Sequence, residues 1–246
     1  MGLKDEMSTS GKWLFQRRSY LPLLLLFLFV LSLRDYSYLY GNHRWDQIWE
    51  IFCLGISLVG LGIRIITIGY APDGTSSRST VQPRASSLNT SGMYSIVRNP
   101  LYLGNFIIWL CISMFIRMWW FTLIIALVFW VYYERIIFAE EEFLEQKFGN
   151  AFMEWAKRTP AFIPKLRVWT KPELSFSFKH AVKREYAGFF AIITTFFILD
   201  FLSDYSINRE LHFDLMWSVL FCFALVIYLT IRILVKCTTI FNVEGR

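Results

Sequence analysis

An all-α polytopic membrane protein with about six transmembrane helices is the fold class this sequence predicts. Three observations carry it. Hydrophobic residues make up 55% of the 246 and charged residues only 18%. The mean hydropathy is +0.42. Several apolar runs are long enough to cross a bilayer, which takes roughly 20 residues per helix. So few charges cannot cover a soluble globule. Disorder needs the opposite composition, low hydrophobicity with high charge.

The first predicted span is 20–33, extended by Tyr36, Tyr38, Leu39 and Tyr40. It runs into Arg34, Asp35 and aromatics instead of a small-residue cleavage site, so it does not read as a cleaved signal. The second span, 48–70, is interrupted by Glu50 near one end and Arg64 near the other. The third, 101–116, and the fourth, 119–133, are separated only by Arg117 and Met118, which predicts a tight hairpin. The fifth is 187–202 and the sixth 215–235, with Arg232 near its end.

An even number of spans puts both termini on one side, and the basic residues choose the side. Lys4, Lys12, Arg17 and Arg18 lie in the N-terminal tail. Arg78, Arg84 and Arg98 lie between spans two and three, ten basic residues in 134–186, and Arg232, Lys236 and Arg246 at the C-terminal end. The other side has Arg34, Arg44, Arg117 and Arg209. Both termini and the two long polar segments are therefore expected in the cytosol. The membrane would be the inner or plasma membrane in a bacterium and the endoplasmic reticulum in a eukaryote. Nothing in the composition points to nucleic acid.

Cys53, Cys111, Cys222 and Cys237 form no CxxC pair, and His43, His180 and His212 are far apart, so no metal centre is expected. The stretch 71–91, rich in Ser, Thr, Pro and Gly, reads as a long loop. Its sequon at Asn89 falls on the expected cytosolic side and reads as a chance match.

Three features could carry chemistry. Arg98 and Asn99 stand just before Pro100, which suits the first turn of a helix because it has no N–H to leave unpaired. A helix N-terminus at the membrane surface suits an anion, although a snorkelling Arg and a capping Asn fit the same residues. After span four, the helical period continues into an acidic segment. There Ile137, Leu144 and Phe148 form one apolar stripe. Glu140 and Glu141 flank that stripe, Glu134 falls on the side of Glu141, and Glu142 points away. Carboxylates beside an apolar face need partners or a ligand, while a solvated amphipathic helix is the plainer alternative. The third feature is Arg64, a charge inside span two, either functional or snorkelling to the interface.

Taken together, these stretches resemble the membrane-embedded methyltransferases that include isoprenylcysteine carboxyl methyltransferase and the phospholipid N-methyltransferases. The family pattern G-x-Y-x-x-x-R-H-P-x-Y-x-G reads here as Gly92, Tyr94, Arg98, Asn99, Pro100, Tyr102 and Gly104. The second pattern, E-E-x-x-L-x-x-x-F-G-x-x-Y-x-x-Y, reads as Glu140, Glu141, Leu144, Phe148, Gly149, Phe152 and Trp155, followed by Pro160 and Pro164. Arg64 and Gly69 resemble the segment that ends the preceding span in the family. The family His is Asn99, which can hydrogen-bond but cannot titrate, and both Tyr of the second pattern are replaced. The loop text around Gly74 to Arg78, with Leu88 to Gly92, looks similar to bacterial members suspected of methylating lipid A phosphate. The resemblance divides the chain into 1–47, an N-terminal tail and first span; 48–164, a methyltransferase-like core; and 165–246, a linker and C-terminal pair. The linker's basic stretch 165–184 fits either an anionic lipid surface or a cytosolic linker.

The resemblance implies a cytosolic-facing site, S-adenosylmethionine as methyl donor, and a lipid or lipidated acceptor taken from the bilayer. Tyr94, Arg98, Asn99, Pro100, Tyr102, Leu103, Gly104, Glu140 and Glu141 are the implied donor-binding residues. Arg98, Glu141 and Arg64 are the implied catalytic residues. A carboxylate or phosphate acceptor needs no general base, whereas an ammonium does, and no His stands near the motifs. This favours an anionic acceptor. Sterol-type reductases share the R-H-P-x-Y hairpin with NADPH but lack the E-E-x-x-L-x-x-x-F-G pattern. A non-catalytic membrane scaffold of the same fold is the other alternative.

Overall fold

The computed structural model describes residues 2–18, 25–33, 36–72, 85–243 and 245. Among them the chain forms α-helices and short 3-10 turns, with no strand. The helices are α1 (Leu3–Arg17), α2 (Leu25–Ser32), α3 (His43–Tyr70), α4 (Met93–Ile96), α5 (Pro100–Met114), α6 (Trp119–Phe148), α7 (Asn150–Arg158), α8 (Phe178–Asn208) and α9 (Leu215–Cys237).

Among the described residues, α3, α6, α8 and α9 are long and apolar enough to cross a membrane. They contain the second, fourth, fifth and sixth expected spans. Side-chain caps place three of their starts: Asn42 accepts from Arg44 N, Ser177 from His180 N and Asp214 from Trp217 N. Pro100 opens α5 at its first position, as expected. With 15 residues, α5 is about 22 Å long, short of a hydrocarbon core of roughly 30 Å. The hairpin between α5 and α6 turns at Arg117, with φ of 61°. Helix α6 continues through the acidic segment without a break and stops at Gly149. Of the first expected span, α2 is described; residues 19–24 and 34–35 lie outside the described residues, as does most of the 71–91 loop with Arg78 and Arg84.

Helix α3 is the centre of the bundle, packed between α5 and α8; α9 lies on α8, and α6 joins α5 to α1. Small residues let α3 and α5 approach closely. A Cβ on Gly60 would lie 2.8 Å from the Gly104 carbonyl oxygen, and one on Gly104 would lie 2.7 Å from that of Gly60. The apolar core fills the half of the bundle around Phe29, Phe115, Phe121, Phe196 and Trp217. There Phe29 meets Phe121 edge-on at 4.8 Å and Phe196 stacks on Trp217 at 5.6 Å. The exposed Val219, Phe223, Val226, Leu229 and Ile233 give α9 an outward face suited to lipid.

Two arrangements differ from the expectation. The N-terminal tail is a helix that packs on the C-terminal half of α6. It covers Glu142, which accepts from Ser8 Oγ instead of pointing to solvent. The buried face of α6 therefore runs through Tyr133, Ile136 and Ala139, rotated away from Ile137, Leu144 and Phe148, because α1 and α5 both draw on it. Residues 160–177, which include the start of the 165–184 basic stretch, are anchored on the bundle by backbone hydrogen bonds. They strap across α4: Arg98 N donates to Pro160 O, Lys165 N to Ile96 O, Thr170 N to Ser95 Oγ and Gly92 N to Thr170 O. Lys183 donates to Asn242, so the C-terminal end and α1 lie at the same end of the bundle.

Candidate functional site

At that end a cavity of about 340 Å³ opens between α3, α5, α6 and α8. Its volume is at the lower end of the ~300–1,000 Å³ typical of small-molecule pockets. Tyr94, Arg98, Asn99, Pro100, Tyr102, Glu140 and Arg64 line it. Seven of the residues singled out from the sequence are therefore brought together from three separate segments.

The helix geometry explains the convergence. The α4 turn and the start of α5 deliver Tyr94 to Tyr102, and the strap holds that turn by backbone hydrogen bonds. Trp155 on α7 donates from Nε1 to the Tyr94 carbonyl at 3.0 Å, tying the second motif to the first. Trp155 and Phe152, which replace the family tyrosines, are both buried. Tyr102 OH donates to Glu140 Oε1 at 2.9 Å. Asn99 does not cap α5; its Nδ2 donates to Ala161 O at 3.0 Å and approaches Glu141 Oε1 at 3.5 Å. Burial in the cavity wall pushes the Tyr94 phenol above its ordinary value, so it remains a hydrogen-bond donor at neutral pH.

Glu141, Leu103 and Gly104 do not line this cavity. Glu141 lies on the far side of Arg98, with its Oε1 3.2 Å from Arg98 Nε, and borders a second cavity with Glu142, Glu145 and Lys157. Leu103 N closes the first turn of α5 on Asn99 O. Gly104 faces α3, where its lack of a side chain makes room for the Arg64 stem.

Arg64 is held by a partner the sequence did not reveal. Its Nε and Nη2 donate to the two oxygens of Glu185 at 2.8 and 2.7 Å, and its Nη1 donates to Asn105 Oδ1 at 2.6 Å. Glu185 sits at the start of α8, outside both motifs, and is 3% exposed. Arg18 is the other addition. From the end of α1 it donates to Tyr102 OH at 3.0 Å and to Glu140 Oε1 at 3.2 Å. Arg184 also lines the cavity. The wall thus carries four arginines, Arg18, Arg64, Arg98 and Arg184, against two carboxylates, Glu140 and Glu185, with aromatic surface from Phe15, Phe143, Tyr133 and Trp155. Among the described residues, no cluster of His, Cys, Asp and Glu is placed to hold a metal ion.

A helical membrane bundle with a polar, arginine-rich cavity at one end is the class that fold and site define. Comparison with known proteins gives the family. A family profile described as phospholipid methyltransferase matches residues 51–151, which hold the first motif and the second as far as Gly149. The cobalt-zinc-cadmium resistance protein of Cupriavidus metallidurans is 32% identical over 168 residues, 65% of this chain and 74% of that protein. The nickel-cobalt-cadmium resistance protein of Alcaligenes xylosoxydans xylosoxydans is 30% identical over 131 residues, 52% of this chain and 58% of its own length. A protein-S-isoprenylcysteine O-methyltransferase of Schizosaccharomyces pombe is 36% identical over 77 residues, 31% of this chain and 33% of its own. No solved structure matches significantly. The chain belongs to the membrane methyltransferase family that includes the phospholipid and isoprenylcysteine methyltransferases.

Proposed function

We propose that this protein transfers a methyl group from S-adenosylmethionine to an anionic group, a carboxylate or phosphate, on a lipid or lipidated acceptor. The observation that carries the reading is the charge of the cavity wall. Four guanidiniums, with the carboxylates of Glu140 and Glu185 in the wall and that of Glu141 behind Arg98, stand beside aromatic surface, at the end of the bundle that carries both family motifs.

The residues present fit the donor. A carboxylate is matched by Arg98 and the α5 N-terminus, amino and ribose hydroxyl groups by Glu140, and an adenine by the aromatic wall of Tyr94, Trp155 and Phe143. When bound, S-adenosylmethionine supplies a methyl already activated by its sulfonium. The protein's part is then alignment and exclusion of water. Glu141 holds Arg98 from behind, and Asn99 Nδ2 approaches that same carboxylate oxygen. Tyr102 fixes the Glu140 carboxylate. Glu185 and Asn105 set the Arg64 guanidinium at the cavity wall, where it and Arg184 face the acceptor's anion. No proton has to leave a carboxylate or phosphate nucleophile. The absence of histidine from the described cavity lining is therefore consistent with the reading.

The test is mass spectrometry of the host's lipids and lipidated proteins with and without the gene. The proposal expects a species heavier by one CH₂ that disappears with the gene. No such species in either fraction contradicts the acceptor class.

A further inference from the structure

Helix α1 lies outside both family motifs, yet it reaches the cavity. Ser8, Gly11 and Phe15 form its buried stripe. Gly11 presses on α6 so closely that a Cβ there would lie 2.2 Å from the Arg135 carbonyl oxygen and 2.9 Å from the Ala139 side chain. Arg135 donates to Ser10 Oγ at 2.7 Å, and Ser8 Oγ donates to Glu142. These contacts fix the register of α1 on α6, and the register delivers Arg18 to the cavity.

There the Arg18 guanidinium lies 4.0 Å from the centroid of the Phe15 ring, which is itself part of the lining. It bridges Tyr102 OH and Glu140 Oε1, and Tyr102 donates to that same oxygen. Both bonds converge on Oε1. Among the described residues no hydrogen bond engages Oε2, which is left for a ligand.

We propose that Arg18 is a positioning residue for the methyl-donor site, acting through Glu140 and Tyr102, and that seating α1 on α6 completes the site. This rests on the methyltransferase reading. Both bonds come from one nitrogen, Nη1, whose two N–H groups are fixed in the guanidinium plane and so hold a carboxylate oxygen and a hydroxyl at once in set directions; a lysine ammonium supplies the charge on a freely turning head. The role of α1 is therefore to lock one carboxylate in the orientation the donor meets.

The experiment is calorimetric titration of the full chain in nanodiscs with S-adenosylhomocysteine, the demethylated donor. Arg18→Ala weakens binding at least about tenfold, the scale of lost hydrogen bonds to a charged group. Arg18→Lys falls between Arg18→Ala and the unaltered chain. Melting without ligand is expected to be the same for the two variants, so a difference in their affinity reports positioning and not helix stability. Gly11→Leu, which lifts α1 from α6 without touching a charge, weakens binding as Arg18→Ala does. Arg17→Ala, whose guanidinium lies over the exposed Trp13, leaves it unchanged. If the alanine chain does not fold, Arg18→Gln takes its place. Unaltered affinity in Arg18→Ala, or equal affinity in the Ala and Lys variants, overturns the proposal. Failure of the unaltered chain to bind is a separate outcome, visible before any variant is made, and it contradicts the methyltransferase reading itself.

Discussion

At the end of the bundle opposite the cavity, Asp46, Glu50 and Asp204 are each no more than 2% exposed. Tyr36 and Arg117 donate to Asp46, Trp217 to Glu50 at 2.8 Å and Tyr38 to Asp204 at 2.9 Å. Neither described cavity reaches them. At the site end the sign of the surplus is reversed. Arginines outnumber carboxylates, their side chains keep roughly a fifth of their surface open (18% for Arg98, 22% for Arg64), and they surround empty volume. Both ends bury charge beside a membrane, which always demands a reason. At the far end the reason is cohesion: the carboxylates tie the α2–α3 connection and α6 hairpin to α8 and α9. At the near end the guanidiniums have room for a ligand.

The comparison breaks if the two ends respond alike to loss of charge. Glu185→Leu strands Arg64 and Arg117→Met strands Asp46. Each is expected to cost about 3–5 kcal/mol in unfolding titrations, the scale for a buried charge without its partner. Only Glu185→Leu should also lower methyl transfer from labelled donor into the host's lipids; an equal loss in Arg117→Met would make the ends equivalent. Next in size, Glu140→Ala removes the carboxylate shared by Arg18 and Tyr102, and donor affinity should fall by about 2–5 kcal/mol in calorimetry. Gly60→Ala forces α3 from α5 between the two ends. About 1–3 kcal/mol of stability should be lost, since the new Cβ meets backbone. The smallest effect is Trp155→Phe, which keeps a ring but loses the bond to the Tyr94 carbonyl. Roughly 1 kcal/mol of stability is at stake, and a larger loss would mean that this link orders the whole α4 turn.

Much of the fold was legible because membrane spans announce themselves by length and hydropathy, and the predicted spans two, four, five and six all lie within long helices. The motif residues converge because the tight α5–α6 hairpin was evident from the two-residue gap at Arg117 and Met118. What stayed hidden depends on partners distant in sequence. Glu185 looked like one charge among many in a basic stretch; only the packing of α8 on α3 gives it Arg64. Arg18 looked like a topology signal. Its helix did leave a trace: Asp5 and Glu6 in a first turn, Ser8, Gly11 and Phe15 at helical spacing, and Arg17 in a last turn. Small residues at a buried face signal close packing, whereas counting charges alone treats the same stretch as a tail. The roughly 100° by which the buried face of α6 departs from the apolar stripe has the same origin, since a wheel ranks hydrophobicity and α1 selects small residues.

The central claim is that the arginine-rich end is a methyl-donor site. Calorimetric titration of S-adenosylmethionine into the purified chain tests it most directly. The account predicts one-site binding that is lost in Arg98→Ala and Glu140→Ala, persists in Arg117→Met and is not displaced by NADPH. No binding, binding that ignores both site substitutions, or displacement by NADPH would contradict it.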